Sequence, residues 1–314
     1  MTSSHVKTRL IQTAALLALG AFVAAVLLPY SSANAGSSLV HTPDAIGYNF
    51  GLLIVLLLCV AFSFRRRTME YSVVLAFVAL VWWTPGVVAN IIGAVHGAPS
   101  LKSGADFAFV GAVALLVQVC VGVWSRTTEV KITRSGLVTS VVAGLIAITW
   151  GIGRTLPWIQ LSFRAGTAGV TFNATGTSSY VTSCCSILNK SNSVSDTTTR
   201  VMEVVFILIA AIAISFIVKK GPGGIGLFGL AVAFSGEVVN GIHEIATSHP
   251  GLGTFYTGSA LTKAVSERIS VTVAGLPGLW INLAAEITLL LFGVYVLLAS
   301  RIVELPSKAS EGTD

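Results

Sequence analysis

Charge is what this chain has least of. It carries 19 Lys and Arg and 13 Asp and Glu in 314 residues, or 10% of the chain, against roughly 25% in an average soluble domain. With 54% hydrophobic residues, so little charge could not cover a water-exposed surface. Histidine and cysteine are also scarce, five and four respectively. No His-x3-His or Cys-x2-Cys spacing occurs, so no metal ligand set is expected and no cofactor is implied. No Walker-type loop ending in Gly-Lys-Ser/Thr exists, which argues against an ATP-driven motor. The net charge of +6 sits in short turns rather than in a basic patch, so a nucleic-acid partner is not expected. The last apolar stretch has no lysine to hold a retinal Schiff base, and no Asp-rich prenyltransferase pair is present.

What the chain does have is long apolar runs. Eight of them cover 10–30, 46–64, 71–95, 105–124, 137–157, 201–218, 225–246 and 279–299. Their lengths match the roughly 20 residues a helix needs to cross a bilayer. Each must be helical, because lipid offers nothing to an unpaired backbone N–H or C=O. The expected fold is all-α: a polytopic bundle of about eight transmembrane helices, forming one domain over 1–303 with a polar tail at 304–314. The first span reads in two ways. Lys7 and Arg9 precede it, and Ala33-Asn34-Ala35 before Gly36 fits a signal cleavage site, which would leave seven helices. Its apolar stretch is longer than the usual signal core.

Basic residues orient the bundle. With the N-terminus inside, the cytoplasmic side collects Lys7, Arg9, Arg65, Arg66, Arg67, Arg126, Lys131, Arg134, Lys219, Lys220, Arg301 and Lys308, 12 of the 19. Most of these crowd short turns, where the positive-inside rule is strongest. Both termini are then cytoplasmic, and the expected location is the plasma membrane. Two long loops, 158–200 and 247–278, lie outside. The first is rich in Ser, Thr, Gly and Asn, and Gly169-Val170-Thr171-Phe172 suits a small β-hairpin, with disorder as the alternative. In the second, Leu261, Val265 and Ile269 share a helical face, as a short helix on the membrane surface would require. Cys59 and Cys120 read as packing residues. Cys184 and Cys185 are adjacent in the first loop, where a vicinal bridge, a bond to another protein and free thiols all remain open.

A short pattern recurs. Gly86-Val87-Val88-Ala89-Asn90-Ile91-Ile92 resembles Gly236-Glu237-Val238-Val239-Asn240-Gly241-Ile242, each in a span that follows a basic turn. Gly and Asn four apart share a helix face, so a neighbouring backbone can approach the Gly while the Asn bonds across. A duplicated hairpin would explain this, but the match does not extend into the following spans. Gly20, Gly223, Gly224, Gly226 and Gly229 also suit close helix contacts.

Ionisable groups inside apolar spans are costly and by default mark a site or a pair. Here they gather at one depth. Asn90 and His96, Asp106, Arg154, Glu203, the set Glu237, Asn240, His243 and Glu244, and the pair Asn282 and Glu286 all fall in outer halves of their spans. Glu237, Asn240 and Glu244 stand at i, i+3 and i+7; Asn282 and Glu286 stand at i and i+4. If those faces oppose, they line one wet cavity open to the outside. The candidate catalytic groups are Glu237, Glu286 and His243. Arg154, Asn90, Asn240, Glu244 and Asn282 are candidate substrate-binding groups. The competing structural reading is that those near helix ends reach for headgroups, and that Arg154 forms a fixed pair with Glu286 or Glu237.

Three functions follow from this pattern. The first is an intramembrane enzyme or lipid-handling protein using carboxylate acid–base chemistry on an apolar small-molecule substrate. The second is a proton- or sodium-coupled secondary transporter. The third is a non-catalytic subunit of an envelope complex. The expected partners are membrane lipids, with a membrane-protein partner or a second copy of the chain as alternatives.

Overall fold

A computed structural model describes residues 3–28, 43–65, 68–95, 103–124, 134–165, 168–174, 193–217, 220–246, 268 and 270–304. Eight helices run through them: α1 (Ser3–Leu27), α2 (Pro43–Ser63), α3 (Met69–Val95), α4 (Ser103–Trp124), α5 (Arg134–Thr155), α6 (Ser193–Ile217), α7 (Lys220–Ala246) and α8 (Pro277–Glu304). Each covers most or all of one of the apolar runs read from the sequence. Five hold stretches long and apolar enough to cross a membrane: His5–Leu27, Met69–Val88, Gly104–Trp124, Gly136–Thr155 and Pro277–Ala299. The described apolar stretches of α2, α6 and α7 are shorter.

The outer surface of the bundle is greasy. Leu16, Val113, Leu116, Val141, Leu145, Ile148, Leu291 and Leu298 are all exposed. A contiguous belt of this kind is tolerable only in lipid. Helix α7 is the opposite case. It packs against α2, α3, α6 and α8, and its residues are buried on every face along most of its length, as expected of a helix that is apolar all round. Glycine makes that position attainable. A Cβ on Gly224 would stand 2.6 Å from the Leu297 backbone nitrogen, and one on Gly293 2.6 Å from that of Phe228. Helices α7 and α8 therefore touch backbone to backbone. By contrast, a Cβ on Gly20 or Gly86 would meet nothing within 4 Å. The close-contact role expected for those two glycines is not seen, and the Gly of the recurring pattern is not a tight crossing point in α3.

A three-stranded antiparallel sheet caps one end. Strands β1 (Ile159–Ala165) and β2 (Ala168–Ala174) form the hairpin expected in the first loop. Strand β3 (Ser270–Gly275) comes from the second loop and pairs along the other edge of β1, from Ile159 opposite Gly275 to Arg164 opposite Ser270. The described residues are mainly helical, as expected, and the sheet adds a contact between the two loops, which join rather than standing apart. Leu276 N–H donates to the Trp158 carbonyl at 2.7 Å, and Gly278 N–H to that of Pro157 at 3.1 Å, so the start of α8 is pinned to the end of α5. The proposed surface helix around Leu261, Val265 and Ile269 lies outside the described residues, as do Cys184, Cys185, His96 and the polar tail.

At the other end, where α2 meets α3, the bundle is not uniformly apolar. Gln118 Nε2 donates to Ser72 Oγ at 2.9 Å and to Cys59 Sγ at 3.2 Å, and Ser72 Oγ donates to the Cys59 carbonyl at 2.7 Å. All three side chains are buried. Cys59 is therefore part of a neutral hydrogen-bond network joining α2, α3 and α4, not a purely apolar filler. Cys120 is exposed on the apolar surface.

Candidate functional site

The last two turns of α5 organise the polar centre. Trp150 and Arg154 are four apart and so lie on one face, and both are buried. The Trp150 indole Nε1 donates to Glu286 Oε1 on α8 at 3.2 Å. Its backbone carbonyl accepts from Asn282 Nδ2, also at 3.2 Å. Asn282 and Glu286 thus do share a face, and that face meets α5. A single tryptophan receives both. Gly153 permits the approach, because a Cβ there would stand 2.5 Å from Asn282 Nδ2.

Arg154 is only 4% exposed, and such a charge needs strong compensation in an apolar bundle. Its Nη2 lies 2.8 Å from Glu203 Oε2 on α6, and its Nε donates to the same oxygen at 3.2 Å. The guanidinium carbon also sits 5.2 Å from the ring centroid of Trp158 and 6.0 Å from that of Trp150, within the range of cation–π attraction. Trp158 is fixed by its own indole N–H, which donates to the Gly153 carbonyl at 2.9 Å. The expectation of Glu286 or Glu237 as the counter-charge thus omitted Glu203, which stands beside Arg154 on the adjoining helix.

Glu286 lies deeper than this pair. It is 6% exposed and faces a small cavity of about 10 Å³ among α5, α6, α7 and α8. Trp150, Ile207, Ala231, Phe234 and Leu289 supply most of its wall. The Trp150 and Phe234 rings meet edge to face, 5.4 Å between centroids. Among the described residues no wide cavity opens at Glu286, and the atoms that bound the small one are apolar. Asn282 Oδ1 has no hydrogen-bond partner among the described residues although its side chain is fully buried.

Of the candidates named from sequence, Arg154, Asn282 and Glu286 come together around Trp150. Glu237, Asn240, His243 and Glu244 lie on the last turns of α7 and Asn90 on α3; their side chains lie outside the described residues. Sequence reading missed Trp150 and Trp158 altogether. Tryptophan inside an apolar span reads as packing, and only the helix neighbours show that its N–H and ring face are both engaged. Among the described residues no group of three His, Cys, Asp or Glu side chains could hold a metal ion. No known protein family matches the chain, and no curated protein or solved structure does either.

Proposed function

We propose that this chain is a proton-coupled secondary transporter of the plasma membrane, with eight crossing helices and Glu286 as its proton-binding group. One observation carries the reading: the Glu286 carboxylate is buried in an apolar bundle, held by an indole N–H, beside a small apolar cavity of about 10 Å³. A proton would be held on the carboxylate itself and needs no such space, whereas an apolar substrate does not fit without helix movement. Exchange of the proton requires water to reach the carboxylate, and relative movement of α5 and α8 at the Gly153–Asn282 crossing would admit it. Arg154 and Glu203 hold α5 to α6 while that happens. Transporters place such groups at helix junctions near mid-membrane for this reason.

The test has two arms. Infrared difference spectra of the protein in lipid, between acid and alkaline buffer, should contain a protonated-carboxyl band that Glu286→Gln lacks. Proteoliposomes with an imposed pH gradient should accumulate at least one solute from a panel of sugars, amino acids, organic acids and cations, and Glu286→Gln should lose that uptake. Identical spectra from both proteins, or uptake indifferent to the gradient, would refute the assignment.

A second reading is an intramembrane enzyme or lipid-handling protein in which Glu237, Glu286 and His243 act as acid and base. It is favoured by the one-sided distribution of charge: the described polar network at the far end, Cys59 with Ser72 and Gln118, is neutral. Glu237→Gln with Glu286→Gln should then abolish conversion of an apolar substrate, and full turnover in that double variant would exclude it.

A further inference from the structure

Helices α1 and α4 pack antiparallel on the outside of the bundle, and the seam between them is concave. Leu10, Thr13 and Leu17 on α1 form one wall; Phe109, Val113 and Val117 on α4 form the other. The floor is Ala14 and Ala114, both buried. Long exposed walls over a methyl-sized floor leave an open apolar groove of about 320 Å³. From Leu10 to Leu17 it runs along roughly 10 Å of helix axis.

The groove has one charged mouth. Lys7 stands one turn before Leu10, and its Nζ lies 5.9 Å from the ring centroid of Trp124 at the end of α4. Arg9, next to Leu10, is exposed. Tryptophan and lysine together mark the level of the lipid headgroups. An apolar channel that ends at Lys7, with Arg9 exposed in the same helix turn, matches an acyl chain attached to an anionic phosphate. A second copy of the chain fits less well. Copies inserted in the same sense would pair about an axis along the membrane normal, which would bring the two Lys7–Arg9 clusters together.

We propose that the α1–α4 groove is a binding site for one anionic phospholipid, its acyl chain between the walls and its phosphate at Lys7 and Arg9. This assignment is independent of any role for Glu286.

The experiment is native mass spectrometry of the full chain, released from detergent after titration with phosphatidylglycerol or phosphatidylcholine. The wild type should retain one phosphatidylglycerol in preference to phosphatidylcholine. Near a membrane surface each basic residue is worth a factor of about five, so Lys7→Gln with Arg9→Gln should weaken phosphatidylglycerol retention about 25-fold, to the level of phosphatidylcholine. Leu17→Trp fills the groove from a lipid-facing position and should weaken both lipids; Val113→Trp on the opposite wall should repeat the effect. Equal retention of the two lipids by the wild type would overturn the proposal. So would unchanged retention in the charge variant, unchanged retention in both tryptophan variants, or a protein dimer in place of the lipid adduct.

Discussion

Arg154 and Glu203 form a buried ion pair, and such pairs behave asymmetrically under mutation. Desolvation cancels much of their attraction, yet removing one partner leaves an uncompensated charge in a medium that cannot solvate it. Arg154→Met and Glu203→Gln should therefore each lower stability, the arginine variant by up to about 3–5 kcal/mol through loss of the cation facing the Glu203 carboxylate. The double variant Arg154→Met with Glu203→Leu should recover part of that loss, and melting of all three in one detergent is the check. Additive losses would mean that the pair is not coupled. At this scale the sequence revealed which residues were out of place in an apolar span, namely Arg154, Glu203, Asn282 and Glu286. It could not reveal partners. Spacing along one helix says which groups share a face, but that Glu203 is a neighbour of Arg154 depends on which helices adjoin. Trp150 and Trp158 stayed hidden because an aromatic ring in a greasy segment looks like filler until its N–H is seen donating to a carboxylate or a carbonyl.

Elements were legible where a pattern was local and obscure where it was not. Apolar length alone located the eight helices among the described residues, because lipid forces the backbone to satisfy itself. The β1–β2 hairpin was visible in a β-branched stretch with glycine. Strand β3 was not, since its pairing with β1 joins residues more than a hundred positions apart and nothing in Ser270–Gly275 names its partner. Glycine is equally ambiguous in sequence. Gly20 and Gly293 look alike on the page, yet one faces open space and the other a neighbouring helix backbone. That contrast gives a prediction. Gly293→Ala and Gly224→Ala put a methyl group against backbone atoms that cannot rotate away, so each should cost about 1–3 kcal/mol as an overpacked position. Gly20→Ala should cost nothing and gain up to about 1 kcal/mol of helix propensity. Thermal melts of the three single variants decide it; equal melting temperatures would contradict the backbone contact between α7 and α8.

Across the whole molecule the asymmetry is between two ends. Basic turns gather where α2 meets α3 and where α6 meets α7, while the sheet, Trp158 and the Arg154–Glu203 pair lie at the opposite end. The number of Lys and Arg in short turns sets insertion, because these residues resist translocation. The sheet should therefore face outwards and the basic turns the cytoplasm. Cys184 and Cys185 provide a native reporter, since they lie in the loop between β2 and α6. After treatment of intact cells with a membrane-impermeant reductant, an impermeant maleimide should label the protein, and Cys184→Ser with Cys185→Ser should abolish the signal. A cysteine placed at Ser307, beyond the end of α8, should react only once the membrane is permeabilised. The reverse pattern would turn the bundle over. Arg154, Glu203 and Glu286 would then lie towards the cytoplasmic side, and on the proposed transporter reading the proton would reach Glu286 from inside the cell, without altering a single contact described above.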